Sequence, residues 1–260
     1  MSLSARKIAT VWDISADRLT HSLSGTIMEV IPVIDLKDGA VVHARMGIRS
    51  AYTPIETPLS PTSRPTDVAR GLLSIFPFKK FYVADLDAIE NKGNNHKALK
   101  RLSVEFPQLV FWVDAGIADV HHAQRWLEAG LGHLVVGSET QRDSELIRYL
   151  YRNNRTILSL DFRGDAFLGP ASLLNEADIW PIDVIVMTLA RVGSASGPDV
   201  NWLTTIKSRA VNRQVYAAGG VRDANDLALL AQAGIAGALV ATSLHNGKLT
   251  GTQIARLSGL

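Results

Sequence analysis

The stretch Ile31-Pro32-Val33-Ile34-Asp35-Leu36-Lys37-Asp38-Gly39 decides how this chain reads. Apolar residues run into a single acid, Asp35, and the turn sequence Lys37-Asp38-Gly39 follows. A short buried strand ending in a carboxylate is costly unless the charge is paired or meets a solvated rim. In a parallel α/β barrel that rim is the C-terminal edge of the strands, where active sites sit. The pattern recurs along the chain. Phe81 to Ala84 closes on Asp85, Val110 to Val113 on Asp114, Ile157 to Leu160 on Asp161, and Val184 to Met187 on Thr188.

Outward from that stretch, strands and helices alternate. Ala40 to Arg45 alternates in polarity and is expected to pair back as a short strand. Gly47 to Pro65 is a long loop with Pro54, Pro58, Pro61 and Pro65, and loops of that length are usually functional or mobile. Helices are expected from Thr66 to about Phe76, Lys97 to Glu105, Val120 to Ala129 with Gly130 as C-cap, and Asp143 to Arg152. In the second half they are expected from Asp199 to Arg209, Asp223 to Ala233 and Gln253 to Leu257. Further strands are Leu134 to Val136, Val215 to Ala218 and Ala238 to Val240. Eight strands alternating with helices predict an α/β fold with a parallel sheet.

The sequence also repeats itself. Residues 115–138, AGIADVHHAQRWLEAGLGHLVVGS, align without a gap on residues 219–242, GGVRDANDLALLAQAGIAGALVAT. Gly116 matches Gly220, Gly130 matches Gly234, and Ser138 matches Thr242. One βαβ unit is written twice. Asp35 stands ahead of the first copy and Asp161 ahead of the second. Two half-barrels, about 29–152 and 153–250, then account for a single (β/α)8 TIM barrel over residues 29–260.

Composition narrows the classes. The chain has 260 residues, 47% hydrophobic and 20% charged, with a net charge of +2. A length near ~250 residues is typical of one such barrel. Lys and Arg are scattered, so no basic stripe points to nucleic acid. Cysteine is absent, which excludes a disulfide, a thiolate nucleophile and a cysteine metal site, and fits the cytoplasmic location expected here. The seven histidines show no HxH or HExxH spacing, so no metal is expected. No run approaches ~18 apolar residues, so no membrane span is expected. Residues 1–28 are read as an N-terminal extension with a short helix near Ser15 to Ser22, lacking the apolar core of a secretory signal.

In a closed barrel of eight, Asp35 and Asp161 lie on the first and fifth strands and face each other across the mouth. Paired carboxylates serve as general acid and base when their environments tune their pKa values. The competing reading is that strand-end acids cap loops or bind a Lys or Arg. Gly219-Gly220, between a strand and a helix, and Thr242-Ser243 after the last strand suit a phosphate, because they offer free N–H groups. Tight strand–helix packing is the alternative for the glycines. The first-half equivalent is Gly116 with Gly137-Ser138, but Asp114 stands where a phosphate would lie. A carboxylate repels a phosphate dianion, so that site is degraded or serves another polar group. Asp85 and Asp114 are read as polar contacts to the substrate. His121 and His122 read as surface residues, Trp112, Trp126, Trp180 and Trp202 as packing, and no GxSxG nucleophile elbow is present.

IPVIDLKDGAVV, the VADLDA segment with its Gly/Asn loop, the strand–Gly–helix repeat and AAGGV together resemble the histidine-biosynthesis HisA/HisF family over about residues 30 to 250. The resemblance implies a (β/α)8 barrel and, in the HisA-like branch, an aminoaldose–ketose isomerase. Such an enzyme opens a phosphorylated ribosylamine and shifts a proton, an Amadori rearrangement, without cofactor. It implies general acid/base roles for Asp35 and Asp161 and a hydrogen-bonding role for Thr188. The chain departs from that pattern at Asp114-Ala115-Gly116, at Leu189-Ala190-Arg191, at Gly169-Pro170 and at Ala241. The acid/base pair survives, while parts that hold a doubly phosphorylated substrate do not. The sequence therefore also resembles an unassigned branch associated with one-carbon carrier biosynthesis, acting on a singly phosphorylated metabolite. A non-catalytic barrel that binds a phosphometabolite or a partner protein, and a cyclase-type subunit, stand as alternatives. The sequence does not fix the oligomeric state.

Overall fold

The structure, a computed structural model, describes residues 27–194 and 196–259. The expected helix near Ser15 to Ser22 lies outside the described residues. Met28, assigned to the extension, is fully buried and gives its N–H to the Leu257 carbonyl at 3.0 Å, so packing begins there.

The strands are β1 (Glu29–Lys37), β2 (Ala40–His43), β3 (Thr53–Pro54), β4 (Lys80–Asp85), β5 (Val110–Asp114), β6 (His133–Gly137), β7 (Thr156–Arg163), β8 (Ala166–Leu168), β9 (Asp183–Thr188), β10 (Gln214–Ala218) and β11 (Gly237–Val240). The helices are α1 (Pro65–Ile75), α2 (Leu86–Ile89), α3 (His96–Glu105), α4 (Val120–Ala129), α5 (Glu145–Leu150), α6 (Ala171–Asn175), α7 (Val200–Arg209), α8 (Ala224–Gln232), α9 (Thr242–His245) and α10 (Gly251–Leu257). Strands β1, β4, β5, β6, β7, β9, β10 and β11 pair in parallel, each with the next. β11 then returns to β1, with Glu29 opposite Gly237, and closes a (β/α)8 barrel. Among the described residues no helix is long and apolar enough to cross a membrane.

The repeat is visible in local geometry. Gly130 and Gly234 both follow their helices with positive φ, 65° and 72°. Asp119 and Asp223, at matching positions, both cap helix N-termini with their side chains. Hairpins extend the first and fifth barrel strands. Lys37 pairs with Ala40 across Asp38 (φ 50°) and Gly39 (φ 77°), the two left-handed residues of a type I′ turn. β7 runs past Asp161 to Arg163 and folds back as β8 through Gly164, whose φ is 60°. The sequence reading missed β8, although Gly164-Asp165 is a fair hairpin signal. It also carried the helix after β6 too far. Asp143 accepts the Glu145 N–H at 2.9 Å, a turn that competes with helix, and α5 ends at Leu150.

Alternation divides the core in two. Ile31, Tyr82, Trp112, Val135, Ile157, Ile185, Tyr216 and Leu239 fill the barrel. Ile34, Leu36, Phe81, Val83, Phe111, Leu158 and Val184 face the helices. The N-terminal end is plugged: Lys80 Nζ meets Glu29 Oε2 at 2.8 Å and lies 5.1 Å from the centre of the Trp112 ring. Trp112 and Tyr216 pack edge to face at 4.9 Å. Among the described residues the cavity lined by strand-end side chains lies at the opposite end.

Asp85 corrects the sequence reading. It follows Phe81 and Val83 on the outward register, is 0% exposed and does not line the barrel mouth. Its carboxylate accepts the Asn95 N–H and Nδ2, each at 2.7 Å, and the Ala88 N–H at 3.2 Å. Asn95 Oδ1 takes the Gly39 N–H and Asp87 Oδ2 the Asp38 N–H, both at 2.8 Å. Asp85 therefore anchors a network that pins the Asn91–Asn95 loop to the β1–β2 turn. Asp85→Ala leaves buried donors unpaired and should cost about 2–4 kcal/mol in urea denaturation. A loss below about 1 kcal/mol would show that the network does not hold this loop.

Candidate active site

The open mouth is lined by side chains from the C-terminal ends of the barrel strands. Asp35 stands on β1, Asp114 on β5, Asp161 on β7, and Met187 on β9. Glu139 follows β6, Gly219 and Gly220 follow β10, and Thr242 and Ser243 follow β11. Each acid lies on the inward register: Ile31, Val33 and Asp35 on β1, Trp112 and Asp114 on β5, Ile157 and Asp161 on β7. The period of two thus carries each strand from core to chemistry.

The three aspartates are held differently. Asp161, 5% exposed, accepts from Ser159 Oγ at 2.7 Å and from the Glu139 N–H at 3.1 Å, and Ser138 Oγ lies 3.2 Å from its Oδ2. Burial pushes its carboxyl up to about 7; the Ser159 bond opposes this and the Asp114 charge adds to it. Asp114, 8% exposed, accepts the Gly116 N–H at 3.0 Å, and burial raises it to about 6. The Asp35 carboxyl accepts no hydrogen bond among the described residues. Burial raises it to about 7 against the pull of the Arg49 guanidinium. Burial, with the Asp35 charge behind it, also raises the Tyr52 hydroxyl to about 12, so Tyr52 stays a neutral hydrogen-bonding group at the rim. Gly137 has an ordinary extended backbone, φ −77° and ψ 130°, yet a Cβ there would stand 3.0 Å from Asp114 Oδ2 and 3.4 Å from Asp161 Oδ2. The two carboxylates converge over this glycine.

The second half offers the opposite surface. Gly219 and Gly220 have φ of 101° and 87°. A Cβ on Gly220 would meet the Gly197 carbonyl at 2.1 Å, and one on Gly219 the Thr188 carbonyl at 2.7 Å, so close packing requires both glycines. Among the described residues the N–H groups of Gly220, Val221, Thr242 and Ser243 find no acceptor. Arg222 lines this end but is committed to Asp226 at 2.6 Å, whereas Lys248 lines it without an ion pair among the described residues.

Four sequence expectations change. Thr188 follows Val184 and Val186 on the outward register, is 3% exposed and is not among the residues that line the mouth. Ser138 is fully buried; its hydroxyl accepts the Asp161 N–H at 2.9 Å and donates to the Leu168 carbonyl at 2.7 Å. It positions Asp161 rather than a phosphate. Gly116 and Gly137 do not line the mouth either. Conversely, Arg49, Tyr52, Glu139 and Lys248 were missed. Arg49 pairs with Glu139 across the mouth, and its carbonyl accepts Lys37 Nζ at 3.2 Å. The long proline-rich loop that carries Arg49 was the available signal.

The raised carboxyls leave a mark on stability. The folded pKa of Asp35, about 7, lies above the ~4 of an unfolded carboxylate. Between those values the folded state holds the extra proton, so stability falls as pH rises through the window. Asp35→Asn removes this dependence. Its stability relative to the wild type should rise from about pH 4 to about pH 7 and then level off. Urea denaturation across that range checks it; a margin independent of pH would contradict the raised value.

Comparison with known proteins agrees with this geometry. The family described as "Histidine biosynthesis protein" matches residues 29–250. An uncharacterized protein of Methanocaldococcus jannaschii is 30% identical over 85% of this chain and 95% of its own length. A Myxococcus xanthus protein named as a phosphoribosyl imidazole-4-carboxamide isomerase is 28% identical over 88% of this chain and 98% of its own. One of the same name from Campylobacter concisus is 27% identical, covering 85% and 96%. With its closed barrel and a family match over nearly all of it, the chain belongs to the histidine-biosynthesis HisA/HisF family.

Proposed function

We propose that this chain is an acid–base isomerase that converts a phosphorylated aminoaldose into the corresponding aminoketose. The observation that carries the reading is the pair Asp35 and Asp161, on opposite barrel strands and both raised by burial to about 7. At neutral pH such a pair holds about one proton between its members, so an acid and a base are present together. The rearrangement needs both. A proton given to the ring oxygen opens the aminosugar to an iminium. Loss of the neighbouring C2 proton gives an enaminol, and return of a proton to C1 with loss of the O2 proton gives the aminoketose. No net proton or electron is exchanged.

The bare N–H groups after β10 and β11, with Lys248 beside them, suit a phosphate that holds the sugar with its reacting carbons at the carboxylates. Relatives named as isomerases support the same chemistry. Arg49, clamped to Glu139 from the loop above, restricts the mouth on the Asp35 side.

With a phosphorylated ribosylamine as substrate, Asp35→Asn and Asp161→Asn should each lower turnover by about 10²–10⁴-fold. The wild-type rate should follow a bell-shaped pH profile centred near neutrality. Turnover that survives Asp35→Asn in folded protein rules the mechanism out.

A further inference from the structure

The two halves of the mouth are aligned by the repeat, and they treat the same backbone groups in opposite ways. Gly220 and Ser243 of the second half correspond to Gly116 and Glu139 of the first. In the second half these N–H groups are bare among the described residues. In the first half the Gly116 N–H is taken by Asp114 Oδ1 at 3.0 Å, and the Glu139 N–H by Asp161 Oδ2 at 3.1 Å. The residue matching Asp114 is Ala218, which carries no charge. The chain's own carboxylates therefore occupy the anion sites of the first half.

Besides the Asp35 carboxyl, which the proposed proton transfer uses, a second acceptor at the mouth is unpartnered among the described residues. Asp114 is more than nine-tenths buried, lines the mouth, and its Oδ2 has no hydrogen-bond partner among the described residues. Glu139 adjoins it, already paired with Arg49. Arg49 is thereby neutralised, and Arg163 stands exposed on the rim. A phosphate dianion brought to this end would meet Asp114 and Glu139 and find the N–H groups filled. A hydroxyl or ammonium group would find the acceptor it needs.

We infer that the site takes a substrate with one phosphate, seated in the second half. The other end of that substrate is unphosphorylated and presents a hydroxyl or amino donor to Asp114. Asp114 is the specificity residue, acting by repulsion of a second phosphate as well as by attraction of a donor. The inference rests on the phosphorylated-sugar reading above and narrows it to a substrate class.

Calorimetric titration of the full chain with ribulose 5-phosphate and with ribulose 1,5-bisphosphate tests it, because the two differ by a single phosphate. The wild type should bind the monophosphate at least about tenfold more tightly. Asp114→Asn keeps an acceptor for the Gly116 N–H and removes only the charge, so it should narrow that ratio. Asp114→Gly also frees the N–H, so it should narrow the ratio further or reverse it. Equal or tighter bisphosphate binding by the wild type overturns the inference, as does a ratio that neither variant moves. If neither sugar binds, the inference and the phosphate cradle fall together. Selective monophosphate binding, with no turnover of a phosphorylated ribosylamine, leaves this inference standing and removes the acid–base reading instead.

Discussion

Desolvation of carboxylates at one end of a closed barrel is the constraint on which the rest depends. Asp35, Asp114 and Asp161 lie at the inner ends of strands whose preceding inward residues are core: Ile31, Trp112 and Ile157. All three line the mouth yet are buried, and burial lifts each above ordinary carboxylate values. The opposite end is closed by the Lys80–Glu29 pair over Trp112 and Tyr216, which leaves that mouth as the ligand's approach. Gly137 leaves the space that two of these carboxylates fill, and Ser138 and Ser159 hold one of them in place.

The internal repeat leaves the mouth symmetric in backbone and asymmetric in charge. Both halves keep the same strand, glycine and capped helix, down to matched left-handed glycines and matched Asp caps. What has diverged is the residue at the strand end. Asp114 faces the mouth in one half and Ala218 in the other. A single carboxylate turns a cradle for an anion into one already filled, because a backbone N–H has one proton to give. The two ends of the mouth thus repeat one unit of structure and are separated by side-chain charge.

The supporting loops follow the same economy of buried polar groups. The β1–β2 turn carries no chemistry of its own, yet its two N–H groups are taken by Asp87 and Asn95, and Asp85 holds Asn95. That chain of bonds fixes the end of the strand that bears Asp35. Across the barrel, the β7–β8 hairpin supplies the Leu168 carbonyl that anchors Ser138, which in turn holds the Asp161 N–H. Asp35 and Asp161 therefore each sit on a strand extended and steadied by its own hairpin.

The sequence by itself determined the barrel, its two halves, and the placing of Asp35 and Asp161 at one rim, because period-two strands and a gapless repeat are local signals. It also marked the glycine cradle of the second half and the odd charge at Asp114. It left open the side to which a strand-end residue turns. Asp85 and Thr188 resemble Asp35 and Asp161 in sequence, but each lies on the outward register and outside the lining of the mouth. Pairing register, which fixes that parity, is set by neighbouring strands far away in the chain. Tertiary structure alone also brought Arg49 onto Glu139 and set Lys248 in one lining with Gly219 and Gly220, since these pairings join loops from separate βα units. A loop's sequence records its own turns, whereas the charge it meets across a barrel mouth is decided only when the barrel closes.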